Sequence, residues 1–255
     1  MTILDRFRLD RRVAIVTGSS RGLGRAMAQA LAEAGAQVAV VSRQIEPAQQ
    51  VADEILAATG QLCYGYCCDV TVPEQITALV EAVVKDFGQI DIVINNAGIS
   101  IRRSIEALSL AEFRQVQDTN LTGPWLLCRA VADHLKARGN GRVINISSTA
   151  AVSSFPGLTP YASSKAGLVQ MSRTLALEWG ADGITVNCIL PGPFATDMNQ
   201  AARQDPQINQ QFLAGIPIKR WGDPDEIGAL AVFLASDAGS FITGATIVID
   251  GGRTV

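Results

Sequence analysis

The fold is decided by Val13-Ala14-Ile15-Val16-Thr17-Gly18-Ser19-Ser20-Arg21-Gly22-Leu23-Gly24, near the start of the chain. The first five residues predict a buried strand, Val13–Thr17, and the Ala- and Leu-rich residues that follow predict a helix over Gly22–Ala34. Glycines between a strand and a helix let the backbone turn tightly and approach a phosphate closely. The helix N-terminus adds free N–H groups and the positive end of a dipole. The stretch therefore predicts a phosphate-binding turn.

The glycines of this turn are spaced Gly18-x3-Gly22-x-Gly24, which differs from the GxGxxG of the common dinucleotide fingerprint. The strand before them and the helix after them are the context that such a fingerprint requires. The candidates for cofactor binding in the turn are Gly18, Ser20, Arg21, Gly22, Leu23 and Gly24.

Beyond the turn, short apolar runs alternate with helical patterns. The further predicted strands are Gln37–Ser42, Leu62–Asp69, Asp91–Asn95, Arg142–Ser147, Ile184–Leu190 and Ala245–Asp250. The further predicted helices are Pro47–Thr59, Pro73–Phe87, Leu110–Arg138, Tyr161–Trp179 and Pro224–Ser236. Such alternation predicts an α/β fold, a doubly wound, seven-stranded parallel sheet with helices on both faces. We find no repeat or linker, and therefore predict a single domain over residues 1–255.

One segment interrupts the alternation, from Pro191 to about Lys219, and it is rich in Asn, Gln and Asp. A long insertion after the carboxyl end of a strand is where a substrate lid would lie. We predict a lid at about 191–219, with a surface helix of no function as the alternative.

The composition is that of a globular protein and argues against several classes of function. Hydrophobic residues make up 48% of the 255 residues, charged residues 18%, and the net charge of -3 offers no basic surface for nucleic acid. The five cysteines form no CxxC pair and are interpreted as small buried residues, which fits a reducing compartment. Residues 1–12 do not resemble a secretory signal, and no apolar run reaches the length of a membrane span. We expect a soluble cytoplasmic protein with no nucleic-acid or membrane partner.

The end of the second predicted strand, Ser42-Arg43, indicates which dinucleotide would bind. NAD-binding folds place an Asp or Glu near this point to bond the ribose 2′-OH, and this chain has no acid there. Arg43 instead stands where a 2′-phosphate would lie, and Arg21 offers a second guanidinium. We predict NADP(H), with Ser42 and Arg43 as binding residues; alternatively, both arginines are solvated surface charges.

Tyr161 and Lys165 are four residues apart at the start of a predicted helix, which places both side chains on one face. A free phenol has a pKa of about 10, and a nearby ammonium lowers it by stabilising phenolate. Such a pair can pass a proton to and from a substrate oxygen. By itself the spacing also fits a surface pair. Polar residues end two predicted strands at the same edge of the sheet, in Ser147-Ser148 and in Asn95-Asn96-Ala97-Gly98, and they strengthen the catalytic interpretation.

Together these residues resemble a short-chain dehydrogenase/reductase of the 250-residue type, over essentially the whole chain. The resemblance is carried by Thr17-Gly18-x3-Gly22-x-Gly24, Asp69-Val70, Asn95-Asn96-Ala97-Gly98, Asn120, Ser148, Tyr161-x3-Lys165, Pro191-Gly192 and Asp250-Gly251-Gly252. It implies a Rossmann fold and a homo-oligomer, a tetramer or a dimer, in which two long helices form part of the tetramer interface.

The resemblance also implies roles. Tyr161 would be the general acid in reduction and the base in oxidation, and Lys165 would lower the pKa of the tyrosine and hold the nicotinamide ribose. Ser148 would hydrogen-bond the substrate oxygen, and Asn120 would position a water that links Lys165 to solvent. The remaining cofactor residues would be Asp69 and Val70 at the adenine, Asn96, Ala97 and Gly98 on the side of its ribose, and Pro191, Gly192, Phe194 and Thr196 around the nicotinamide.

Two other chemistries are disfavoured. The one histidine, His134, lies in the predicted long helix without companion ligands, so we predict no metal site. Ser148 lacks the GxSxG elbow of a hydrolase nucleophile.

The substrate is indicated by a resemblance to the gluconate 5-dehydrogenase subgroup, which interconverts gluconate and 5-ketogluconate. The residues concerned are Ile99-Ser100-Ile101-Arg102-Arg103, Pro191-Gly192-Pro193-Phe194-Ala195-Thr196-Asp197-Met198-Asn199 and Arg220-Trp221-Gly222. An arginine at the pocket mouth, Arg102 or Arg103, would pair with the carboxylate of a sugar acid, or both are surface charges. We expect an NADP(H)-dependent oxidoreductase that interconverts a secondary alcohol and a ketone in a sugar acid or polyol.

Alternatives to this substrate stay open. One is 3-oxoacyl-[acyl-carrier-protein] reductase, in which Arg129, Lys136 and Arg138 would dock an acidic carrier. Other sugar or polyol dehydrogenases are further candidates. A non-catalytic, dinucleotide-binding regulatory module is an alternative of another class, disfavoured because Tyr161, Lys165 and Ser148 are all present.

Overall fold

The computed structural model describes residues 2–255, apart from the side chain of Met198, and in these residues seven strands form one sheet. The strands are β1 (Val13–Thr17), β2 (Gln37–Ser42), β3 (Cys63–Cys67), β4 (Ile92–Asn95), β5 (Arg142–Ile146), β6 (Thr185–Pro191) and β7 (Thr246–Ile249). Their order is β3-β2-β1-β4-β5-β6-β7, and all neighbours are parallel. The predicted doubly wound, seven-stranded parallel sheet is confirmed.

Helices cover both faces of the sheet, as predicted. They are α1 (Gly22–Glu33), α2 (Ile45–Thr59), α3 (Pro73–Phe87), α4 (Leu110–Gln117), α5 (Gly123–Arg138), α6 (Thr159–Trp179), α7 (Gln200–Gln204), α8 (Pro206–Ala214) and α9 (Pro224–Ala235). The core on one face is formed with α1, α2 and α9, and the core on the other face with α3, α5 and α6.

Strand β1 shows why the strands are apolar along their whole length. Ala14 and Val16 belong to the first core, whereas Val13 and Ile15 belong to the second. Because successive side chains of a strand point to opposite faces, a sheet covered on both faces needs apolar residues at every position.

The order of the strands places a crevice beside β1. The chain winds outward from β1 to β2 and β3, and then crosses back to β4 on the other side of β1. Ligands of doubly wound sheets bind at such a reversal, outside the carboxyl ends of the strands. The glycine turn follows β1 and the Asn95-Asn96 pair ends β4, so both lie at this crevice.

The predicted helix Leu110–Arg138 is wrong in one respect, because a π-helical segment, Asp118–Thr122, separates α4 from α5. The cause is Pro124 in the first turn of α5. A proline has no N–H to donate to the carbonyl four residues earlier, and its ring collides with that carbonyl. That carbonyl belongs to Asn120, so the break falls at a predicted catalytic residue.

Other differences from the predicted elements are smaller. Strand β3 is shorter than Leu62–Asp69, and at its end the Cys67 thiol is exposed, whereas the other four cysteines are buried as expected. Residues 191–219 contain two short helices, α7 and α8, which meet at Asp205, the capping residue of α8. None of the described helices is long and apolar enough to cross a membrane. In the part of the chain that the structure describes, no three His, Cys, Asp or Glu side chains cluster as metal ligands would.

Candidate active site

The glycine turn joins β1 to α1 at the crevice. Gly18 and Gly22 have φ angles of 65° and 55°, which residues with side chains rarely adopt. A Cβ on Gly18 would lie 2.9 Å from the Cα of Ala97, and a Cβ on Gly24 would overlap the Gly18 carbonyl. Arg21, which precedes α1, makes no capping bond with its side chain, so the first N–H groups of the helix remain available to an anion. This turn fits the pyrophosphate of a dinucleotide.

Asn96 fixes the shape of the turn. Its Nδ2 donates to the carbonyl oxygens of Thr17 and Gly18 at 2.9 and 3.0 Å. The Thr17 hydroxyl accepts from the backbone N–H groups of Asn96 and Ala97 at 3.0 and 3.1 Å. The amide of Asn96 thus stabilises the turn from within, and contacts of Asn96, Ala97 and Gly98 with a cofactor stay a prediction.

The two arginines predicted to bind a 2′-phosphate lie just before α1 (Arg21) and just after β2 (Arg43). Arg21 and Arg43 are both exposed, and neither forms an ion pair with any carboxylate of the described residues. Arg25, one turn further along α1, is instead bound to Glu54 at 2.7 Å. Burial works to raise the pKa of Asp69, but hydrogen bonds from Thr71 and the charge of Arg43 outweigh it, so the pKa is lowered. Arg43 thus acts electrostatically on Asp69, which the sequence predicts to hold the adenine.

The two serines at the end of β5 have different surroundings. Ser147 is 3% exposed, and its hydroxyl donates to the carbonyl oxygen of Lys165 at 2.8 Å, inside the protein. Ser148 is half-buried, and its Oγ accepts from the N–H of Ala150 at 3.1 Å. Ser147 is therefore turned into the protein, whereas the hydroxyl of Ser148 lies at the crevice, within hydrogen-bond reach of Tyr161.

Tyr161 and Lys165 lie in the first two turns of α6, as predicted. Lys165 is 4% exposed, and its Nζ donates to the carbonyl oxygen of Ile146, the last residue of β5, at 2.8 Å. The same Nζ lies 5.8 Å from the centre of the Tyr161 ring. The helix therefore brings a buried ammonium beside the phenol at the carboxyl edge of the sheet.

Burial shifts the pKa values of both residues, and the shift of Tyr161 differs from the one that the sequence predicts. Burial lowers the pKa of Lys165 from 10.5 to about 8, and the nearby Cys188 offsets part of that change. Burial raises the pKa of Tyr161, and a hydrogen bond with Ser148 offsets part of the rise. The pKa of Tyr161 is raised on balance, because desolvation of the phenolate outweighs the hydrogen bond with Ser148, whereas the sequence argument expected a lowered pKa.

Asn120 is fully buried in the π-helical segment. Its Oδ1 accepts from the N–H of Ile99, and its Nδ2 donates to the carbonyl oxygen of Ile99, both at 2.9 Å. A Cβ on Gly98 would lie 3.2 Å from Asn120 Oδ1 and 3.4 Å from Lys165 Nζ. Asn120 and the buried lysine are therefore neighbours, and Asn120 also holds the strand-end loop that carries Ile99.

The loop after β6 lies where the sequence predicts contacts with the nicotinamide. Gly192 has no room for a side chain, because a Cβ there would overlap the Cβ of Asp250. Thr196 lies above the glycine turn, its Cγ2 3.8 Å from where a Cβ on Gly22 would be. Phe194 is 3% exposed and packs in the core against Gly222. Its ring therefore supports this loop from within.

The arginines at the predicted pocket mouth separate into two environments. The Nε of Arg103 lies 3.5 Å from the Glu112 carboxylate, and its backbone N–H donates to the carbonyl oxygen of Gly157 at 3.0 Å. Arg102 passes close to Gly157, but it meets no carboxylate within salt-bridge distance among the side chains that the structure describes. Of the two predicted cations, Arg102 is thus the one without an ion pair among the described side chains.

Sequence reasoning missed two residues of this site. Ser164 is fully buried between Tyr161 and Lys165 and accepts from Asn120 Nδ2 at 3.1 Å. Pro124 produces the π-helical segment around Asn120. Pro124 could have been found, because a proline inside a predicted helix signals a break. Ser164 carries no such signal.

Known proteins resemble this chain over nearly its full length. The family model described as "Enoyl-(Acyl carrier protein) reductase" matches residues 18–254. D-threitol dehydrogenase of Mycolicibacterium smegmatis is 40% identical over 249 residues, which cover 98% of this chain and 95% of that protein. The 3-oxoacyl-[acyl-carrier-protein] reductase of Chlamydia muridarum is 37% identical over 244 residues, 96% of this chain and 98% of that protein.

A solved structure is similar to the same extent. It is a gluconate 5-dehydrogenase from Burkholderia cenocepacia in complex with NADP and tartrate, with a TM-score of 0.94 and 36% identity over 99% of each chain. The match to the family model and these full-length relatives agree with the glycine turn and the Tyr161–Lys165 pair. The chain therefore belongs to the short-chain dehydrogenase/reductase family.

Proposed function

We propose that this protein is an NADP(H)-dependent enzyme that interconverts a secondary alcohol and a ketone in a sugar acid or a polyol. Its family and its relatives make it an oxidoreductase acting on CH–OH groups; the cofactor and the substrate class are the proposal. One observation carries it: the buried Lys165 beside Tyr161, with Ser148 and Asn120, at the crevice that begins with the glycine turn.

The chain's own side chains would handle the proton of the reaction. The bound dinucleotide supplies or accepts the hydride. In reduction, Ser148 donates a hydrogen bond to the ketone oxygen, and Tyr161 donates its phenolic proton to that oxygen. The raised pKa of Tyr161 keeps the phenol protonated at neutral pH, which suits a general acid. The Lys165 ammonium then stabilises the phenolate that remains, and oxidation runs through the same groups in reverse.

The preference for NADP(H) is supported by what surrounds the end of β2. The Ser42 hydroxyl donates to the carbonyl oxygen of Gln44, and no acid stands there to bond a ribose 2′-OH. Arg21 and Arg43 are exposed and without ion-pair partners among the described residues, as a pair that binds a 2′-phosphate must be. The similar gluconate 5-dehydrogenase structure contains NADP.

The preference for a sugar acid or polyol rests on Arg102 and on the relatives. Arg102 supplies a cation beside the Gly157 loop, which follows β5 and Ser148 in the chain. D-threitol dehydrogenase and gluconate 5-dehydrogenase, both similar to this chain, carry names of enzymes that act on polyhydroxylated compounds.

The competing substrate, an acyl group on a carrier protein, has less support. Lys136 binds Asp182 at 3.1 Å, and Arg138 binds the buried Asp91 at 2.8 Å. Arg129 packs over the Trp125 ring at 5.6 Å. The three cations expected to dock an acidic carrier are thus already engaged within the chain, although a 3-oxoacyl-[acyl-carrier-protein] reductase is among the relatives.

The testing experiment is a comparison of initial rates on three substrates. 5-Ketogluconate and an acetoacetyl thioester are reduced with NADPH or NADH, and D-threitol is oxidised with NADP+ or NAD+. We expect NADPH-dependent reduction of 5-ketogluconate, or NADP-dependent oxidation of D-threitol, to exceed reduction of an acetoacetyl thioester. A preference for the thioester would move the proposal to fatty-acid chemistry, and turnover with NADH alone would contradict the role of Arg21 and Arg43.

We also propose that the protein is a cytoplasmic homo-oligomer of single-domain subunits, with residues 191–219 as the lid. Support for assembly comes from apolar side chains left in solvent on the two long helices: Leu177 of α6 is 87% exposed and Trp125 of α5 is 45% exposed. A molar mass from light scattering tests this, and the mass of one chain would overturn it.

A further inference from the structure

Two adjacent serines of α6, Ser163 and Ser164, lie between Tyr161 and Lys165 but face different surroundings. Ser164 is fully buried, and its hydroxyl donates to the carbonyl oxygen of Tyr161 at 2.8 Å. Ser163 is exposed, and its hydroxyl donates to the carbonyl oxygen of Pro160 at 3.1 Å. Both serines thus bond back into their own helix in the same way. They differ in the hydrogen bond that each accepts from another element: Ser164 accepts from Asn120, and Ser163 accepts from Gln117 Nε2 of α4 at 2.8 Å.

The partner of Ser164 is the catalytic asparagine. Asn120 Nδ2 donates to Ser164 Oγ at 3.1 Å and to the carbonyl oxygen of Ile99 at 2.9 Å, which uses both hydrogens of the amide. The Oδ1 of the same amide accepts from the N–H of Ile99. With Ser164 in place, every donor of this buried amide has an acceptor. Without its hydroxyl, one buried N–H has none, which favours a shift of the side chain.

The oxygen of this amide lies near the lysine, without a direct hydrogen bond between the two. Asn120 Oδ1 and Lys165 Nζ lie 3.2 and 3.4 Å from the same point, the place that a Cβ on Gly98 would occupy. An amide oxygen beside an ammonium stabilises the charged form, and the effect depends on the direction of the amide dipole. Anything that fixes the amide therefore also fixes the electrostatic surroundings of Lys165.

We propose that Ser164 is a positioning residue that fixes the Asn120 amide, and through it the Ile99 loop and the surroundings of Lys165, against the Tyr161 turn of α6. Ser164 touches neither substrate nor cofactor in this proposal. The proposal rests on the proposed function, in which Tyr161 and Lys165 move the proton.

The test compares Ser164→Ala with Ser163→Ala, since each variant removes one hydroxyl that bonds back into the helix. We expect Ser164→Ala to lower kcat about tenfold or more, because small misplacements at an active site are costly. The alkaline limb of its pH–rate profile moves to lower pH, since a displaced amide oxygen no longer supports the ammonium. Ser163→Ala keeps the wild-type kcat and profile, and NADPH binding measured by fluorescence stays within about twofold in both.

Rescue and coupling separate positioning from a general loss of stability. Ser164→Thr keeps the hydroxyl and is expected to restore the wild-type pH profile. In an Asn120→Ala background, Ser164→Ala should have little further effect, because residues that act through one another are not additive. If Ser164→Ala does not fold, Ser164→Cys, with its weaker acceptor, takes its place in each comparison.

Two outcomes are decisive and distinguishable. Wild-type kcat and pH profile in Ser164→Ala, or in Ser164→Cys, would overturn the positioning role, even if the melting temperature falls. In that case collapse of turnover in Tyr161→Phe would leave the proposed function standing. Retained turnover in Tyr161→Phe would instead remove the proposed function, and the role of Ser164 with it.

Discussion

The turn of α6 that carries the proposed catalytic residues (the catalytic turn) and the proposed lid of residues 191–219 (the lid) differ in how firmly the rest of the molecule holds them. In the catalytic turn, Ser164 and Lys165 are buried, and Lys165 is hydrogen-bonded to β5 at 2.8 Å. In the lid, α7 and α8 have no buried residue among the side chains that the structure describes. The turn of α6 is fixed by the core, whereas α7 and α8 lie on its surface, although Phe194 and Ile216 at the two ends of the segment are buried.

Between those buried ends, side-chain contacts hold α8. Trp221 Nε1 donates to Asn209 Oδ1 at 2.7 Å, and the Trp221 ring stacks on Phe212 with centres 5.1 Å apart. Segments with few buried contacts open at low free energy and supply the parts of a protein that move. With the proposed function, proton transfer would depend on a rigid part of the fold. The proposed lid would contact the substrate from helices whose sequence can change at little cost to stability.

The largest expected effect in the rigid region is that of Tyr161→Phe. Without the phenolic hydroxyl no side chain donates the proton, and kcat should fall about a thousandfold, within the usual range for losing general acid–base catalysis. NADPH binding should stay the same, because the glycine turn and Arg43 are untouched. Parallel measurements of steady-state rates and of NADPH fluorescence check both parts, and appreciable turnover would refute the mechanism.

The buried ammonium of Lys165, which the proposed mechanism needs, should lower the free energy of unfolding of the protein. Burial lowers the pKa of Lys165 from 10.5 to about 8, a difference that corresponds to about 3 kcal/mol. Between these two pH values the unfolded chain holds more protons at this lysine than the folded chain, so stability rises with pH there. Below pH 8 both forms are protonated, and the whole burial cost is present.

We therefore expect Lys165→Met to be inactive. At pH 7 its free energy of unfolding should exceed that of the wild type by about 1–3 kcal/mol, a range that allows for the lost hydrogen bond to the Ile146 carbonyl. The advantage should shrink as the pH rises toward 10.5. Denaturant unfolding of both proteins at pH 7 and pH 9.5 measures this. A variant less stable than the wild type at pH 7 would show that hydrogen bonding outweighs desolvation at this site.

Elements of the buried part of the fold could largely be predicted from the sequence, whereas the exposed helices could not. The sheet, its helices and the Tyr161–Lys165 pair follow from local signals: apolar runs, glycines at a strand–helix junction, and a spacing of four. The π-helical segment depends on Pro124, whose signal was present but was outweighed by the helical pattern on both sides. The helices α7 and α8 within residues 191–219 could not be predicted, because short exposed helices lack the periodic apolar residues that signal a buried helix face.

The acid–base properties could not be predicted either, because they depend on burial. Spacing alone suggests that an ammonium lowers the pKa of Tyr161, but desolvation raises it in the folded protein. The partner of Asn120 is likewise a matter of three-dimensional contact. Ser163 and Ser164 are indistinguishable in sequence, but Ser164 accepts from Asn120, whereas Ser163 accepts from Gln117 of α4.

Arg43, after β2, is exposed like the helices of the lid. Arg43→Ala should therefore change the preference between NADPH and NADH without affecting the fold. Loss of one guanidinium–phosphate contact should reduce kcat/KM with NADPH about tenfold to a hundredfold and leave kcat/KM with NADH unchanged. Arg25→Ala is the matched control, because Arg25 is exposed on the neighbouring helix and paired with Glu54. Equal loss with both cofactors in Arg43→Ala would mean that Arg43 supports the adenine rather than a 2′-phosphate.

The smallest expected effect tests the lid itself. Trp221→Phe keeps an aromatic ring on Phe212 but removes the hydrogen bond to Asn209, a contact of about 1 kcal/mol. If that bond holds the lid closed over substrate, KM should rise about fivefold while kcat and NADPH binding stay unchanged. Asn209→Ala should reproduce this effect, and the double variant should add nothing, since both remove the same bond. A fall in kcat with unchanged KM would instead mean that the lid helps to align the reacting groups. It would contradict the assignment of proton transfer to the catalytic turn alone and of substrate binding to the lid.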